Sequence, residues 1–184
     1  MRYKSDAISA LDKIYDAFVE LIKNKDYDSV SISEIIRESK VSRSTFYIYF
    51  KSKDQILVHV CNDIFDHIFA KDLNKEKHHD FSSQQDLKHI VEHAFCHFLE
   101  DKEIILPILN SSGSQVFLSQ LRKRLKPLIS QLIKEKVIGN NDVPEDIKTH
   151  QYVNGYVALL QYYLRHANDL SPETITDYYF EMSK

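Results

Sequence analysis

One short stretch of the sequence, residues 42–53, concentrates side chains that suit recognition of double-stranded DNA. The guanidinium of Arg43 can donate two hydrogen bonds to a guanine edge, and the hydroxyls of Ser44 and Thr45 can bond to bases or phosphate oxygens. Tyr47 can stack or donate a hydrogen bond to the DNA backbone, and the ammonium of Lys53 can neutralise a phosphate. This chemistry requires the side chains to stand together on one exposed face.

Helix-start signals around this stretch predict the elements that would position it. Ser31 and Glu34 form a capping-box pair, in which each side chain bonds to an unpaired amide at the helix start, and Ser52 with Gln55 repeats the pattern. Ser42 can cap a short helix that ends near residue 50. We therefore predict two short helices joined by a tight turn and followed at once by a third helix.

The short helix after Ser42 has two faces on a helical wheel. Its aromatic face is expected to pack inward, and the opposite face is left open to a ligand. The alternative explanation for Arg43 and Tyr47 is an ordinary solvated face of a small helical domain, because short motifs produce many false matches. The inward face contains Phe46, Tyr49 and Phe50, and the outward face contains Arg43, Ser44, Tyr47 and Ile48.

Residues 41–53, VSRSTFYIYFKSK, resemble the DNA-binding segment of the tetracycline-repressor (TetR) family, which typically carries V-S-x-x-T-x-Y-x-Y-F-x-S-K. The similarity extends over residues 8–60. It implies a helix-turn-helix head in a transcriptional regulator that binds a palindromic operator as a homodimer. By this resemblance, base contacts would come from Ser33, Arg43, Ser44 and Tyr47, and phosphate contacts from Ser31, Thr45, Tyr49 and Lys53.

One residue departs from the family pattern. Lys40 stands where the family usually has a glycine, in the turn between the two short helices. A lysine at this position must adopt a positive φ, at a cost of about 1 kcal/mol, or the turn must differ slightly. The departure therefore bears on the geometry of the turn and leaves the motif intact.

The composition of the 184-residue chain favours an all-α protein, because it has three glycines, four prolines and no alternating apolar pattern. We predict a DNA-binding domain at residues 1–52 and a regulatory and dimerisation domain, a helical bundle, at residues 53–184. A lever helix from Ser52 through Phe69 would join them. Further helices are predicted at 4–24, 84–101 and 171–182, and Pro107 and Pro127 are expected to start or kink helices.

Charge is distributed unevenly along the chain. The formal net charge is −3, yet residues 37–53 contain five basic residues and one acidic residue. A local excess of positive charge attracts the DNA backbone even when the whole protein is acidic. We therefore expect DNA affinity that falls as the salt concentration rises.

Several features limit the class of protein. The N-terminal segment lacks the apolar core of a signal peptide, and no apolar run is long enough to cross a bilayer, so we expect a cytoplasmic protein with no membrane partner. Cys61 and Cys96 are expected to be free thiols, with a redox switch as the alternative. Because phosphate-binding loops, nucleophile elbows and metalloprotease motifs are absent from the sequence, we expect neither enzymatic activity nor a cofactor.

Residues 146–166 are predicted to form a helix whose apolar arc is wider than one buried face requires. A central helix surrounded within its own domain is one explanation. Packing against a second copy is the other, and the resemblance implies a dimer interface built from the last two helices of each subunit. The predicted interface residues are Val153, Tyr156, Val157, Leu160, Tyr163 and Leu164.

Aromatic residues in the second domain could line a pocket for a small-molecule effector that releases the protein from DNA. Core packing is the alternative for each of them. A subgroup of the family in low-GC Gram-positive bacteria, which the C-terminal segment also resembles, includes coactivators that work with a protein partner. A large apolar cavity would favour the effector, whereas a filled core would favour the partner. The candidate pocket residues are Phe65, Phe69, Phe95, Phe98, Phe117 and Tyr156.

Three histidines, His89, His93 and His97, recur every four residues on one predicted helix. This spacing places imidazoles on one face, where pairs of them could share zinc or another divalent metal in a metal-responsive sensor. Histidines on a solvated flank are the alternative, because no acidic or cysteine motif in the sequence completes the site.

Overall fold

The computed structural model describes residues 9–69, 87–139 and 141–184. All regular elements in these ranges are helices, which confirms the predicted all-α class, and none of them has the length and hydropathy needed to cross a membrane. The helices are α1 (Ala10–Asn24), α2 (Ile32–Ser39), α3 (Arg43–Tyr49), α4 (Lys53–Ile68), α5 (Leu87–Glu100), α6 (Lys102–Leu109), α7 (Ser114–Lys134), α8 (Glu145–Arg165) and α9 (Pro172–Glu181), with a 3₁₀ turn at Tyr27–Ser29.

A capping box that the sequence analysis did not identify fixes the start of α1. The Ser9 hydroxyl oxygen accepts a hydrogen bond from the Asp12 amide at 3.1 Å, and the Asp12 carboxylate accepts one from the Ser9 amide at 3.3 Å. α1 therefore begins at Ala10. The predicted helical residues 4–8 lie outside the described residues.

The first three helices form a compact head, as predicted. α1 packs against both α2 and α3, and the buried side chains come from all three helices. Burial of each large apolar side chain contributes about 1.5–3 kcal/mol to the stability of such a core. The fully buried residues of this core are Ile14, Phe18, Ile22, Ile35 and Phe46.

α4 is continuous from Lys53 to Ile68, which confirms the long helix predicted after Ser52. The Ser52 hydroxyl accepts a hydrogen bond from the Gln55 amide at 3.3 Å, as in a capping box. The reciprocal bond differs from the prediction, because the Gln55 side-chain oxygen accepts from the Lys51 amide at 2.7 Å. The glutamine therefore satisfies an amide one residue before the capping serine.

Contacts within the chain group the described residues into two compact units. The first contains residues 9–62 and 103–117, and the second contains 63–69, 87–102, 118–139 and 141–184. In this grouping, residues 103–117 and the first part of α4 belong with the head. The Ser112 amide donates to Asp28 at 3.2 Å, and a Cβ added at Gly113 would lie only 2.9 Å from the Leu57 side chain. A side chain at residue 113 would therefore require the Leu57 side chain to shift.

The core of the second unit is built from rings on α5, α8 and α9, which pack against one another. Phe95 stacks on Tyr156 with ring centroids 4.6 Å apart, and Tyr179 meets the edge of the same tyrosine at 5.6 Å. The Arg122 Nε of α7 donates to the Asn154 side chain of α8 at 3.0 Å. The aromatic contacts place a largely filled core around α8.

The start of the last helix follows the prediction, and two prolines lie within other helices. Ser171 caps α9 by accepting from the Thr174 amide at 3.1 Å, and Pro172 occupies the first turn. Pro107 and Pro127 begin no helix and instead lie inside α6 and α7. Each proline removes one backbone hydrogen bond from its helix, and a kink there remains the prediction.

Candidate DNA-binding surface

The start of α2 is held by a complete capping box, as predicted. The Ser31 amide donates to the Glu34 carboxylate at 2.9 Å, and the Glu34 amide donates to the Ser31 hydroxyl at 3.2 Å. The ammonium of Lys25 lies 2.5 Å from the same carboxylate. The lysine and the capping bonds lower the pKa of Glu34 to about 2. Ser31 is thus engaged through its hydroxyl, although it stays exposed.

Lys40 makes the turn between α2 and α3 in the left-handed conformation, with φ 55° and ψ 28°. This confirms that lysine takes the conformation for which the family uses glycine. α3 then begins after Ser42, whose hydroxyl accepts from the Thr45 amide at 3.0 Å. The turn and cap together fix the direction in which α3 leaves α2.

Two buried phenylalanines pack α3 against the rest of the head. Phe46 is fully buried and Phe50 nearly so, with ring centroids 6.3 Å apart. Tyr49 was predicted from the wheel to share this inward face, but 44% of it is exposed. It lies at the last residue of α3, where the helix no longer covers it. Its exposure suits the phosphate contact that the family resemblance implies.

The opposite side of α3 faces solvent and carries the predicted base-contacting residues. Arg43 and Ser44 are exposed, and 46% of Tyr47 is exposed. An Arg43 guanidinium nitrogen lies 3.5 Å from the hydroxyl of Ser33, so these residues of α3 and α2 stand side by side. The helix pair therefore presents one polar surface from two elements, as a helix-turn-helix requires.

Hydroxyl groups at the start of α3 contact one another. The Ser42 oxygen lies 2.8 Å from the Ser44 oxygen and 2.7 Å from that of Thr45. Thr45 is half-buried, so less of it is accessible than of Ser44. A phosphate oxygen approaching Thr45 would meet the amide end of α3 and this hydroxyl group together.

Lys53 binds Tyr27 within the head, a contact that the sequence did not predict. Its ammonium donates to the Tyr27 carbonyl oxygen at 2.6 Å and lies 4.1 Å from the centre of the Tyr27 ring. The Tyr27 hydroxyl in turn donates to the Asp54 carboxylate at 2.5 Å. The 3₁₀ turn that brings Tyr27 to the start of α4 has no distinct signal in the sequence. Lys53 thus supports the head and retains only part of its donor capacity for phosphate.

Ile48 is the exposed apolar residue that sequence reasoning placed on the outward face without giving it a role. It is 78% exposed, the largest exposure among the described large apolar side chains. Exposed isoleucine in a polar recognition face can contact the methyl group of thymine in the major groove. The position of Ile48 beside Ser44 on the helical wheel was the sequence signal for a base-contacting role.

The residues predicted for a dimer interface lie in the core of the chain. Each is at least 94% buried by contacts with the chain's own helices, since α5 and α9 both pack on α8. The wide apolar arc of α8 is therefore explained by packing on more than one side. These core residues are Val153, Tyr156, Val157, Leu160, Tyr163 and Leu164.

The predicted effector-pocket residues also lie in packed surroundings. Phe65, Phe69 and Phe98 contact one another with centroids 6.2–6.4 Å apart, and Phe95 stacks on Tyr156. Phe117 is buried and belongs to the first unit, whereas the other five residues belong to the second. The structure therefore brings five of the six residues into two ring clusters of one unit.

A cleft of about 500 Å³ lies between α7 and α8 in the second unit. Arg122, Lys126, Glu145 and His150 are among the residues that line it. The six residues predicted for the effector pocket do not line this cleft.

Of the three histidines predicted as a row, the structure separates one from the other two. His93 and His97 are buried, with their Nε2 atoms 2.9 Å apart. His89 is more exposed and lies 3.7 Å from the Glu92 carboxylate. His97 also lies close to His67 and Glu100, which the sequence spacing did not connect to the row.

Cys61 and Cys96 are free thiols, as predicted. Burial raises the pKa of Cys61 to about 12, and burial together with the charges of Glu92 and Glu100 raises the pKa of Cys96 to about 11. Few thiolates are therefore present at neutral pH, which disfavours a redox switch at either residue.

Similarity to known proteins agrees with this geometry. The family described as bacterial regulatory proteins, tetR family, matches residues 14–60, and the family described as transcriptional regulator C-terminal region matches residues 85–184. YvdT of Bacillus subtilis (strain 168), an uncharacterized HTH-type transcriptional regulator, is 26% identical over 140 residues, covering 75% of this chain and 72% of YvdT.

A second relative and a solved structure extend the comparison. YuxN of the same organism, also an uncharacterized HTH-type transcriptional regulator, is 39% identical over 61 residues, which cover 33% of this chain and 21% of YuxN. A TetR transcriptional regulator from Streptococcus agalactiae 2603V has a similar structure, with a TM-score of 0.77, 26% identity and coverage of 95% of this chain and 93% of that one. The chain therefore belongs to the tetR family of bacterial regulatory proteins, and it is a transcriptional regulator with a helix-turn-helix DNA-binding head.

Proposed function

We propose that this regulator is a cytoplasmic homodimeric repressor that binds a palindromic operator and is released from it by a small molecule. The observation that carries the DNA-binding part is the exposed surface shared by Ser33 of α2 and Arg43 of α3, whose polar atoms are 3.5 Å apart. Because Phe46 and Phe50 are buried and pack α3 against the head, we expect this surface to be formed before DNA binds. Preformed contacts lose little conformational entropy on binding.

The proposed contacts divide into those that read bases and those that position the head. Arg43 and Ser44 suit guanine and adenine edges, Tyr47 and Ser33 complete the base contacts, and Ile48 suits a thymine methyl group. Ser31, Thr45 and Tyr49 suit phosphate oxygens. Lys53 is proposed as a supporting phosphate contact, since its ammonium already binds the Tyr27 carbonyl oxygen.

A dimer would use the exposed side of α8 together with α9. Tyr162, Tyr178 and Met182 are 50–64% exposed, and with Leu159 and Glu181 they line an apolar groove of about 350 Å³. Exposed apolar surface of this kind is typical of protein–protein contact sites. Two heads related by a two-fold axis would reach successive major grooves about 34–36 Å apart.

An effector would act by binding one conformation of the dimer more tightly than the other. Support for a ligand in the second unit comes from Tyr156 and Tyr163, whose buried hydroxyls have no hydrogen-bond partner among the described residues. Native mass spectrometry of the purified protein tests for a bound small molecule.

The DNA-binding proposal is tested by measuring anisotropy of labelled duplexes that cover the region upstream of the gene for this protein. We expect one preferred duplex, affinity that falls with salt, and a loss of about 1–3 kcal/mol for Arg43→Ala at one base position. Lys134→Ala removes one positive charge from an exposed position of α7 and is the control, with no change expected. Equal binding of Arg43→Ala and parent to every duplex would contradict the proposal.

A protein partner is the second candidate for the groove between α8 and α9. The observation that favours it is the combination of closely packed rings in the core and exposed apolar side chains outside it. In that case the regulator acts with a partner as a coactivator. In vitro transcription from the bound promoter distinguishes repression from coactivation. A repressor lowers the transcript level without any added partner protein.

A further inference from the structure

Three side chains from α4 and α5 converge at one point in the second unit. The potential ligand atoms of His67, His97 and Glu100 all lie within 4.8 Å of one another. His97 and Glu100 are one helical turn apart, with the His97 Nδ1 and a Glu100 carboxylate oxygen separated by 2.7 Å. The His67 ring lies edge-on to the His97 ring, with centroids 4.7 Å apart. A small rearrangement of side chains would place all three ligands around one ion.

We propose that His67, His97 and Glu100 bind a divalent metal ion of the zinc class. Two imidazoles and one carboxylate are ligands that zinc accepts, and ligand distances of about 2.0–2.2 Å are compatible with donor atoms that already lie close together. Three protein ligands leave a fourth position of a tetrahedral site to water. Nitrogen-rich sites of this kind favour zinc and other late transition metals over magnesium and calcium.

His93 positions His97 for this role. Its Nε2 lies 2.9 Å from the Nε2 of His97, and the two residues are 3% and 4% exposed. A hydrogen bond at Nε2 orients the His97 ring and leaves Nδ1 directed at Glu100. His93 is therefore a positioning residue, while His97 is the buried ligand.

Access to the proposed site is open from solvent. His67 is exposed, and the Glu100 side chain is 55% exposed. Two of the three proposed ligands are therefore accessible to an ion in the folded chain. His89, the first histidine of the same helix, is paired with Glu92 and lies outside the site.

Cobalt and zinc binding to the full-length protein, stripped of metal with a chelator, tests the proposal. We expect one Zn²⁺ per chain by calorimetry and visible absorption bands of four-coordinate Co²⁺ that Zn²⁺ displaces. His67→Ala and Glu100→Gln remove exposed ligands, so the fold should persist, and each should lower affinity by at least about 10-fold. His89→Ala is the matched control on the same helix and should bind as the parent does.

Substitution of His93 separates orientation from ligation. His93→Ala should weaken binding by about 10–100-fold while the Co²⁺ bands keep their positions, and His93→Gln should restore part of the affinity. The proposal is overturned if the parent binds neither ion, or if His67→Ala and Glu100→Gln bind both ions as tightly as His89→Ala does. These measurements need no DNA, so their outcome is separate from that of the proposed function.

Discussion

Tyr156 and Tyr163 of α8 have phenol hydroxyls that are buried without a hydrogen-bond partner among the described residues. Burial raises the pKa of both groups, that of Tyr163 to about 12. An unpaired buried hydroxyl costs free energy, because folding removes the water that would otherwise bond to it. Ring contacts offset this cost, since Tyr156 stacks on Phe95 and meets the edge of the Tyr179 ring.

Tyr156→Phe removes the hydroxyl and keeps the ring. We expect stability to stay the same or to rise by up to about 1 kcal/mol, because no hydrogen bond is lost and an unfavourable burial disappears. The free energy of unfolding in urea, measured by circular dichroism, checks this result.

Tyr179→Phe is the matched control for that experiment. Its hydroxyl donates to the Tyr152 carbonyl oxygen at 3.3 Å, so its removal should cost about 0.5–1.5 kcal/mol. An equal loss in Tyr156→Phe would mean that a water molecule or a residue outside the described ranges bonds to the Tyr156 hydroxyl.

The turn between α2 and α3 determines how the DNA-binding surface is presented. Lys40 holds the left-handed conformation there, with φ 55°, at the end of a helix whose start is fixed by Ser31 and Glu34. Lysine has a Cβ that disfavours this region, whereas glycine has none. The turn is therefore formed at the expense of some stability, and α3 still leaves it in the orientation that exposes Arg43.

Lys40→Gly should stabilise the head by about 1 kcal/mol, because glycine adopts the left-handed conformation without steric cost. Thermal unfolding followed by circular dichroism measures the change. Lys40→Ala removes the same charge but retains the Cβ, so it should bring no gain. If both variants raised the melting temperature equally, relief of charge repulsion rather than of backbone strain would be the cause.

For the whole molecule, the two sides of α8 have different surroundings. The buried side packs on α5 and α9, and the exposed side presents Leu159 and Tyr162 beside Tyr178 and Met182 of α9. A charge on the buried side would destabilise the fold itself, because the burial of an unpaired charge has a large free-energy cost. A charge on the exposed side would act only on association. The proposed dimer can therefore be disrupted without unfolding the chain.

Tyr162→Glu is expected to convert the proposed dimer into monomers while the helical content stays unchanged, because Tyr162 is 52% exposed in the single chain. Light scattering coupled to size-exclusion chromatography measures the mass, and circular dichroism checks the fold. Val143→Glu introduces the same charge at an exposed residue outside α8 and α9 and should leave the dimer intact. A Tyr162→Glu protein that remained dimeric would place the interface elsewhere.

The sequence was sufficient to predict the head, because its main features depend on residues close together along the chain. The capping pair Ser31–Glu34, the cap at Ser42 and the left-handed Lys40 all involve neighbours within three or four residues. Backbone hydrogen bonds and helix periodicity act over the same short range. The exposed face of α3 followed from that periodicity, with Tyr49 as the exception at the helix end.

Contacts between distant residues required the folded structure. Lys53 binds Tyr27 across 26 positions, residues 103–117 join the head through Asp28, and His67 meets His97 across the segment between α4 and α5. The apolar arc of α8 predicted burial correctly, but periodicity cannot specify whether the covering surface belongs to the same chain or to another. Which distant residues come into contact depends on packing in three dimensions, because the free energy of the fold sums the contacts of every side chain with its neighbours.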